Sequence, residues 1–321
     1  MAPTPFRRQV VLATVLLLLG CSHSADAYSM DDVDFGDTDD LLGLETTSML
    51  QVSVELNKFA DKVAAPPIGS RDLAMAYLPY NFGHTVAKVA LSHGIKWGDC
   101  GEREGSAATC IGKMKSDVTG CDLMYTPGKY WPKDLAQRYF GNRTVFGILR
   151  DPYERMVAQF RGSGYAKDPH LHAICDVNTA VKAMMRDYLE EVKAGKPYAA
   201  NCNKLPQAEF FDQPYGATIA VDNRHFPLSA NELLMEHGYS DLLIQTEEVV
   251  HVSGCDHVWA GDLDSEAKAL VRQVYGRDFE LLCKHFGYCD TLEDTCITTV
   301  PGMCPSQLFT WNSQRKVYLR K

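Results

Sequence analysis

Three runs of apolar residues end at polar or glycine-containing turns and predict buried β-strands. They are residues 72–78 (DLAMAYL), 145–149 (VFGIL) and 241–247 (DLLIQTE). Helical spacing follows the first run over residues 85–93, where Val86, Val89 and Ala90 share a face, and follows the second over residues 152–161. Two strand-to-helix units far apart in the chain predict an α/β fold with a mainly parallel sheet and helices on its faces.

Further helices are predicted over residues 178–193, 230–237 and 266–286, where apolar side chains recur every three or four positions. From residue 291 the prolines and the cysteines Cys296 and Cys304 favour a loop-like tail that is stapled to the body. The 321 residues are 45% hydrophobic. This length and composition favour one large domain over two crowded ones.

The N-terminal 27 residues have the pattern of a secretory signal. Arg7 and Arg8 precede the apolar run 10–19, and small residues lead to Ala27. The run is shorter than the ~20 residues that span a bilayer, which favours cleavage over anchoring. Residues 18–21 (LLGC) also resemble a bacterial lipobox, which would leave Cys21 as a lipidated terminus. No later segment is long and apolar enough to cross a membrane, so we expect a lumenal or secreted chain without a transmembrane span once the signal is removed.

Negative charge is concentrated before the folded body. Residues 28–56 carry eight acidic side chains and no Lys or Arg, and residues 1–27 carry +1, which leaves −2 of the formal −9 for residues 57–321. Such a segment is typical of a solvated, poorly ordered linker, and a calcium-binding or partner-binding role is the alternative. The stretch of prolines and glycine at residues 65–69 (APPIG) marks the end of this acidic linker. We therefore divide the chain into a signal (1–27), an acidic linker (28–70), a folded domain (71–290) and a tail (291–321).

The cysteines fit an exported protein, because disulfides persist in oxidising compartments. Ten of the eleven lie after the signal, an even number that permits five bridges of undetermined connectivity. Their spacing contains no C-x-x-C pair, and no metal site is indicated. The sequon at Asn142 predicts a glycosylation site in a chain that follows the lumenal route.

The turn at residues 78–86 (LPYNFGHTV) has the composition of an anion-binding corner. A strand that enters a Gly-containing loop and then a helix N-terminus points backbone N–H groups at one spot, where the helix dipole favours an anion. Gly83 could supply a positive φ, and Thr85 could cap the helix or donate to the anion. An ordinary turn between a strand and a helix has the same composition, so both interpretations stay open.

The second corner is residues 146–160 (FGILRDPYERMVAQF). Arg150 follows the strand, where open α/β sheets bind ligands, and its guanidinium suits a phosphate. Asp151 and Pro152 are suited to the start of a helix. Arg155 is either part of the site or a structural partner of Asp151 or Glu154.

Five stretches, in order, resemble the carbohydrate-type sulfotransferases. Residues 150–160 resemble the signature R-D-P-Y-E-R-L-V-S-x-Y/F, and residues 77–86 resemble the 5′-phosphosulfate loop of that family. Residues 202–211 (CNKLPQAEFF) resemble its Cys…Pro-Gln segment, residues 243–249 its strand followed by Glu, at Glu247, and residues 274–288 its Tyr…Asp-Phe…Phe-Gly-Tyr ending. The match spans about residues 71–288.

The resemblance implies a P-loop-like sulfotransferase fold, a Golgi or secreted location, and transfer of a sulfuryl group from 3′-phosphoadenosine 5′-phosphosulfate (PAPS) to a hydroxyl acceptor. The expected partner is a glycan or another hydroxylated acceptor and not a nucleic acid, and no metal is required. The resemblance assigns the nucleotide to Pro79, Tyr80, Asn81, Phe82, Gly83, His84, Thr85, Val86, Arg150 and Ala158.

Three positions depart from the family pattern. Tyr80 stands where the family has the lysine of the loop, so His84 or Lys88 would have to supply the positive charge. Tyr125 stands where some relatives have a general-base His, and Lys129 nearby could lower the pKa of its phenol from the usual value of about 10. The signature serine is replaced by Ala158, which removes a hydrogen-bond donor worth about 1 to 3 kcal/mol.

These departures keep two functions open. The first is a PAPS-dependent sulfotransferase with a divergent active site. The second is a catalytically inactive protein that retains the fold to bind a nucleotide or a glycan. A P-loop kinase ranks below both, since the sequence has no G-x-x-x-x-G-K-S/T motif.

Overall fold

The computed structural model describes residues 71–97, 111–250, 254–289 and 295–321 of the chain. Three parallel strands form its larger sheet: β1 (Leu73–Met75), β2 (Thr144–Leu149) and β3 (Ile219–Asp222), in the order β1-β2-β3. Leu73 of β1 pairs with Thr144 of β2, and Phe146 of β2 pairs with Ile219 of β3. The predicted mixed α/β fold with a parallel sheet flanked by helices is confirmed.

Seven α-helices accompany the sheet within the described residues. They are α1 (Gly83–Ser92), α2 (Lys133–Tyr139), α3 (Pro152–Ser163), α4 (Pro169–Ala173), α5 (Val177–Lys193), α6 (Leu228–Glu236) and α7 (Ser265–Phe286). The five helices that the apolar spacing predicts correspond to α1, α3, α5, α6 and α7, each within two residues at either end. Only the short helices α2 and α4 lack a counterpart in the prediction.

Alternate residues of β1 face opposite sides of the sheet, as the pleat requires. Leu73 and Met75 pack with α1 and α6 on one side, whereas Ala74, together with Ala76 just after the strand, packs with α2 on the other. A third apolar cluster joins α3, α5 and α7. Because the strands are parallel, their carboxyl ends meet at one edge of the sheet, and the loops that follow β1 and β2 lie together there.

The predicted strand at residues 241–247 is wrong. The chain forms short 3-10 turns at Ser240–Leu242 and Thr246–Glu248, and these turns bury Leu242 and Ile244 between exposed polar positions. That burial has the period of two residues that a strand also has, so the pattern alone predicts a strand. The third strand is instead β3, in which only Val221 is fully buried.

The tail differs from the predicted loop. It contains an antiparallel hairpin of β4 (Phe309–Asn312) and β5 (Val317–Arg320), with the Trp311 and Tyr318 rings in edge contact across the strands. Its cysteines pair with each other, Cys296 with Cys304, so this bridge does not staple the tail to the body. Buried Ile297 and Val300 attach it instead, by packing into the core cluster of β1 and α1.

The eight cysteines in the described residues form four disulfides: Cys121–Cys202, Cys175–Cys255, Cys283–Cys289 and Cys296–Cys304. This pairing fits a protein of the secretory pathway. Among these residues there is no helix that is long and apolar enough to cross a membrane. The predicted signal, the acidic linker and the cysteines Cys21, Cys100 and Cys110 lie outside the described residues.

Candidate functional site

The loop after β1 turns sharply through two left-handed residues. Tyr80 has φ 65° and Phe82 has φ 60°, on either side of the buried Asn81. Gly83, expected to supply a positive φ, is absent from the positive-φ residues and begins α1. A side chain there would lie 3.0 Å from the Met75 Cε atom and 3.1 Å from the Tyr77 ring, so Gly83 is required for close packing of the helix on the sheet.

The two corners contact each other through Arg150. This side chain is almost fully buried, its Nη1 donates to the Tyr80 carbonyl at 2.8 Å, and its guanidinium lies 5.3 Å from the centre of the Phe82 ring. Its Nε atom is buried and has no hydrogen-bond partner among the described residues. An orphaned guanidinium nitrogen at the carboxyl edge of a parallel sheet is a donor available to an anionic ligand.

Arg155 also fixes the position of the loop after β1. Its Nε donates to the Pro79 carbonyl at 3.2 Å, its Nη2 donates to the Asn203 carbonyl at 3.0 Å, and its guanidinium lies over the Tyr275 ring. Arg155 is fully buried and does not line the cavity between the corners. Arg155 therefore has a structural role, in which its side chain donates hydrogen bonds to backbone carbonyls and does not pair with Asp151 or Glu154.

Gln207 joins both corners to α7. Its Oε1 accepts from the Arg150 backbone N–H at 3.0 Å and from the Asn81 amide, and its Nε2 donates to the Arg150 carbonyl at 2.8 Å. The backbone N–H of Gln207 in turn donates to the Asp278 carboxylate at 2.9 Å. Burial raises the pKa of Asp278, and nearby Arg155 opposes that shift. These buried bonds fix the relative position of the two corners.

A cavity of about 300 Å³ opens between the corners. Its volume is at the lower end of the range for small-molecule sites. Nine of the residues predicted for the site line this cavity: Pro79, Tyr80, Asn81, Phe82, Gly83, His84, Tyr125, Arg150 and Ala158. His84 is exposed, and the Tyr80 hydroxyl lies 3.4 Å from the Ser163 hydroxyl.

The other predicted site residues do not line the cavity. Thr85 is buried, caps nothing, and accepts a hydrogen bond from the Val250 backbone N–H at 2.9 Å. Val86 is a core residue packed with β1, and Lys88 is exposed on the outer face of α1. Helical spacing explains this placement, because only the first turn of α1 reaches the edge of the sheet.

Lys129 belongs to a separate salt-bridge cluster. Its Nζ lies 2.7 Å from the Glu209 carboxylate and 2.9 Å from the Asp212 carboxylate. Burial acts to lower the pKa of Lys129, but its hydrogen bonds to these two carboxylates outweigh burial and raise it. Lys129 is thus held by two carboxylates and does not line the cavity, and its effect on Tyr125 stays a prediction. Glu247, matched to the family's Glu, is exposed and pairs with Lys316 at 2.8 Å, away from the cavity.

Two charged residues of the cavity, Glu154 and Arg161, were not predicted from the sequence. The Nη2 atom of Arg161 makes long contacts with Asp256 (3.3 Å) and the Gly302 carbonyl (3.4 Å), and its buried Nε has no hydrogen-bond partner among the described residues. Their spacing in the sequence could have indicated them. Glu154 and Arg161 lie four and eleven residues after Arg150, and a continuous helix places both on one face.

Glu154 is the third charged residue of this face. Its Oε2 lies 3.6 Å from the Arg150 Nε atom, and both side chains are about 5% exposed. Burial raises the pKa of Glu154 to about 7, against the opposing effect of Arg150. Two arginines and one easily neutralised carboxyl give the cavity a positive character that favours an anion.

The remaining walls come from distant parts of the chain. Trp259 and Ala260 precede α7, and Thr295, Ile297 and Met303 belong to the C-terminal segment. No sequence pattern predicts that this segment closes the cavity, because it packs through buried apolar side chains far from the motifs.

The N-terminus of α1 is the second anion-binding feature of the cavity. The helix has ten residues and begins at Gly83, the N-cap residue Phe82 has a left-handed conformation, and no described side chain caps the helix. Its first N–H groups therefore remain available at the same cavity as Arg150.

No group of His, Cys, Asp and Glu side chains suited to a metal ion is found within the described ranges. Cys175, which follows His170 and His172 of α4, is bonded to Cys255. Comparison of the chain with family models, with curated proteins and with solved structures returned no match.

Proposed function

We propose that this chain is a PAPS-dependent sulfotransferase with a divergent active site, built on a P-loop-like sulfotransferase fold and acting on a hydroxyl acceptor, most simply a carbohydrate. The observation that carries the proposal is the cavity that Arg150 shares with the first turn of α1. The resemblance of five stretches, in order, to carbohydrate sulfotransferases indicates that the reaction is sulfuryl transfer. The predicted secretory signal and the disulfides favour a Golgi or secreted location for this function.

The residues present fit a nucleotide with two separated anionic groups. Buried Nε atoms of Arg150 and Arg161 have no hydrogen-bond partner among the described residues, and they would hold one phosphate. The N–H groups of Gly83 and His84 would hold the other at the start of α1. When bound, PAPS supplies the sulfuryl group that is transferred. The chain's own contribution is to hold both ends of the nucleotide in place and to place positive charge around the group that moves.

His84 is the remaining candidate for the role of the family's loop lysine. It lines the cavity beside Gly83, whereas Lys88 and Lys129 do not. A ring N–H of His84 would donate a hydrogen bond to the oxygen from which the sulfuryl group departs. Tyr80 and Tyr125 also line this cavity.

A catalytically inactive nucleotide- or glycan-binding protein is the second candidate function. It is favoured by Tyr80, which replaces an ammonium group with a phenol, and by the absence of Lys88 and Lys129 from the lining residues. Both functions require nucleotide binding, and they differ in turnover.

Binding is tested first, with adenosine 3′,5′-bisphosphate (PAP) on immobilised resin and by quenching of tryptophan fluorescence, since Trp259 lines the cavity. Arg150→Ala should weaken PAP binding about tenfold to a hundredfold, because a hydrogen bond to a charged group is worth about 1.5 to 3 kcal/mol. Arg138→Ala, an exposed arginine on α2, is the matched control and should bind as the wild type does. Failure of the wild type to bind PAP would overturn the proposal.

Turnover is tested by transfer of labelled sulfate from PAPS to a panel of hydroxylated glycans. The sulfotransferase proposal predicts transfer by the wild type and loss of transfer, with PAP binding retained, in His84→Gln. Binding without transfer, together with transfer by Tyr80→Lys, would establish the inactive protein instead.

A further inference from the structure

Glu154 is a buried carboxyl group without a well-formed hydrogen bond. It lies one helical turn after Arg150, and neither of its oxygens accepts a hydrogen bond of normal geometry from a described residue, although the nearby Thr295 hydroxyl acts against the rise in its pKa. Its nearest cation is the Arg150 Nε atom, at 3.6 Å from Oε2. A buried carboxylate that lacks hydrogen bonds is costly, so this group holds a proton more readily than an exposed glutamate does. In agreement, burial raises its pKa to about 7.

Glu154 also lies near Ala158, a position whose side chain cannot donate a hydrogen bond. Ala158 is one turn further along α3, on the same helix face, and both residues line the cavity with Arg150 and Arg161. The methyl group of Ala158 cannot donate a hydrogen bond, whereas a neutral carboxylic acid has one O–H donor. The protonated form of Glu154 therefore supplies the kind of donor that position 158 lacks.

We propose that Glu154 binds the anionic end of the ligand as a neutral carboxylic acid, donating to it the hydrogen bond that Ala158 cannot supply. This inference rests on the proposed function, since it concerns the same cavity and the phosphate that Arg150 and Arg161 would hold. The only covalent change is at Glu154, whose carboxylate takes one proton from solvent as the nucleotide binds and returns it on release.

The charges in the cavity favour this coupling. A phosphate dianion near Arg150 and Arg161 is balanced by two guanidinium groups, and an ionised Glu154 beside it would add a repulsive negative charge at low dielectric. Protonation of Glu154 replaces that repulsion with a hydrogen bond. Because linkage is reciprocal, the ligand favours protonation of Glu154 to the same extent that protonation favours the ligand.

Few other groups near Glu154 can take up a proton. The charged or polar groups that face it, or face the cavity with it, are Arg150 at the end of β2, Asp151 and Arg161 on α3, Arg224 after β3, Thr295 in the C-terminal segment and His84 on α1. The arginines stay protonated. Asp151 caps α3 by accepting from the Tyr153 and Glu154 N–H groups, and it lies 3.5 Å from Arg224. His84 and Asp151 are thus the alternatives that the experiment has to separate from Glu154.

The test is calorimetric titration of the full chain with PAP at about pH 8, in two buffers with different heats of ionisation. Phosphate monoesters, with a second pKa of about 6, are fully ionised there, so any net proton uptake belongs to the protein. We expect uptake of about 0.9 proton per nucleotide in the wild type. Glu154→Gln should bind PAP with almost no uptake, because the amide donates a hydrogen bond and does not titrate. His84→Gln removes the other titratable side chain on the α1 side of the cavity and should retain the uptake, as should the matched control Glu190→Gln at an exposed position of α5.

Affinity and rescue give an independent measurement. The wild-type Kd for PAP should rise about tenfold for each pH unit above about 7.5, and that of Glu154→Gln should stay nearly constant. At about pH 6, Glu154→Leu should weaken binding about tenfold or more, and adding Ala158→Ser should restore most of the loss.

Four outcomes would overturn the inference: wild-type binding without proton uptake, uptake that persists in Glu154→Gln, uptake that disappears in His84→Gln, or unchanged affinity in Glu154→Leu. In each of them PAP still binds, so the proposed function stands. Absence of PAP binding at every pH would instead refute the proposed function itself.

Discussion

Replacing Glu154 by glutamine should stabilise the protein strongly at about pH 8 and only slightly at about pH 5. Burial raises the pKa of this carboxyl from its ordinary value of 4.5 to about 7. Between these values the folded protein holds a proton that unfolding releases, so the stability of the wild type falls as the pH rises through this window. Glutamine cannot ionise, and the variant therefore escapes that loss.

The size of the effect follows from the same two values. A pKa shift of one unit corresponds to about 1.4 kcal/mol, so ionised Glu154 lowers the free energy of unfolding by about 3 kcal/mol at about pH 8. At about pH 5 the folded protein keeps Glu154 neutral, and the penalty is only about 1 kcal/mol. The advantage of Glu154→Gln should thus grow by about 2 kcal/mol between the two pH values, whatever the glutamine costs in packing.

Urea unfolding of both proteins at the two pH values, without reductant, measures this difference. Glu190→Gln is the matched control, because Glu190 is exposed on α5, and its effect should not change with pH. If Glu154→Gln has the same advantage at both pH values, then burial does not penalise the charge of Glu154 and its pKa is not raised in the folded protein.

Two further variants test the support of the site. Gln207→Leu leaves the backbone N–H and carbonyl groups of Arg150 unpaired and should lower the free energy of unfolding in urea by about 3 kcal/mol. The control Gln273→Leu, on the exposed side of α7, should lower it by less than about 0.5 kcal/mol. Equal effects of the two variants would refute the role of Gln207. Removing the Cys296–Cys304 bridge should cost about 2 to 3 kcal/mol and weaken PAP binding, because the segment that it closes forms a cavity wall. Removing the Cys283–Cys289 bridge, which closes a similarly short loop, should leave PAP affinity unchanged, and an equal loss of affinity would contradict this role of the C-terminal segment.

The sequence predicted the parts of the fold that periodicity controls. Helices α1, α3, α5, α6 and α7 and strands β1 and β2 were all visible as apolar spacing followed by a turn or a cap. β3 was not visible, since a short edge strand with one fully buried side chain has almost no pattern. The 3-10 turns at residues 240–248 were mistaken for a strand for the opposite reason, because tertiary packing gave them alternating burial.

The sequence likewise predicted one part of the candidate site and missed another. The sequence placed Arg150 and the loop 79–84 each at the end of a strand, and the structure brings them to one cavity. It did not predict which cations point into that cavity. Lys129 is held by carboxylates that lie about eighty residues away, and Lys88 falls on the outer face of α1. Such choices depend on contacts between distant segments, which a local pattern does not contain.

A crystal structure of the chain with PAP bound is the most direct test of the central claim, that two corners of the sheet hold the two ends of one nucleotide. We expect one phosphate within about 3 Å of the Arg150 and Arg161 guanidinium groups and the other at the N–H groups that begin α1. A nucleotide bound elsewhere, or one that contacts only one of the two corners, would contradict that claim.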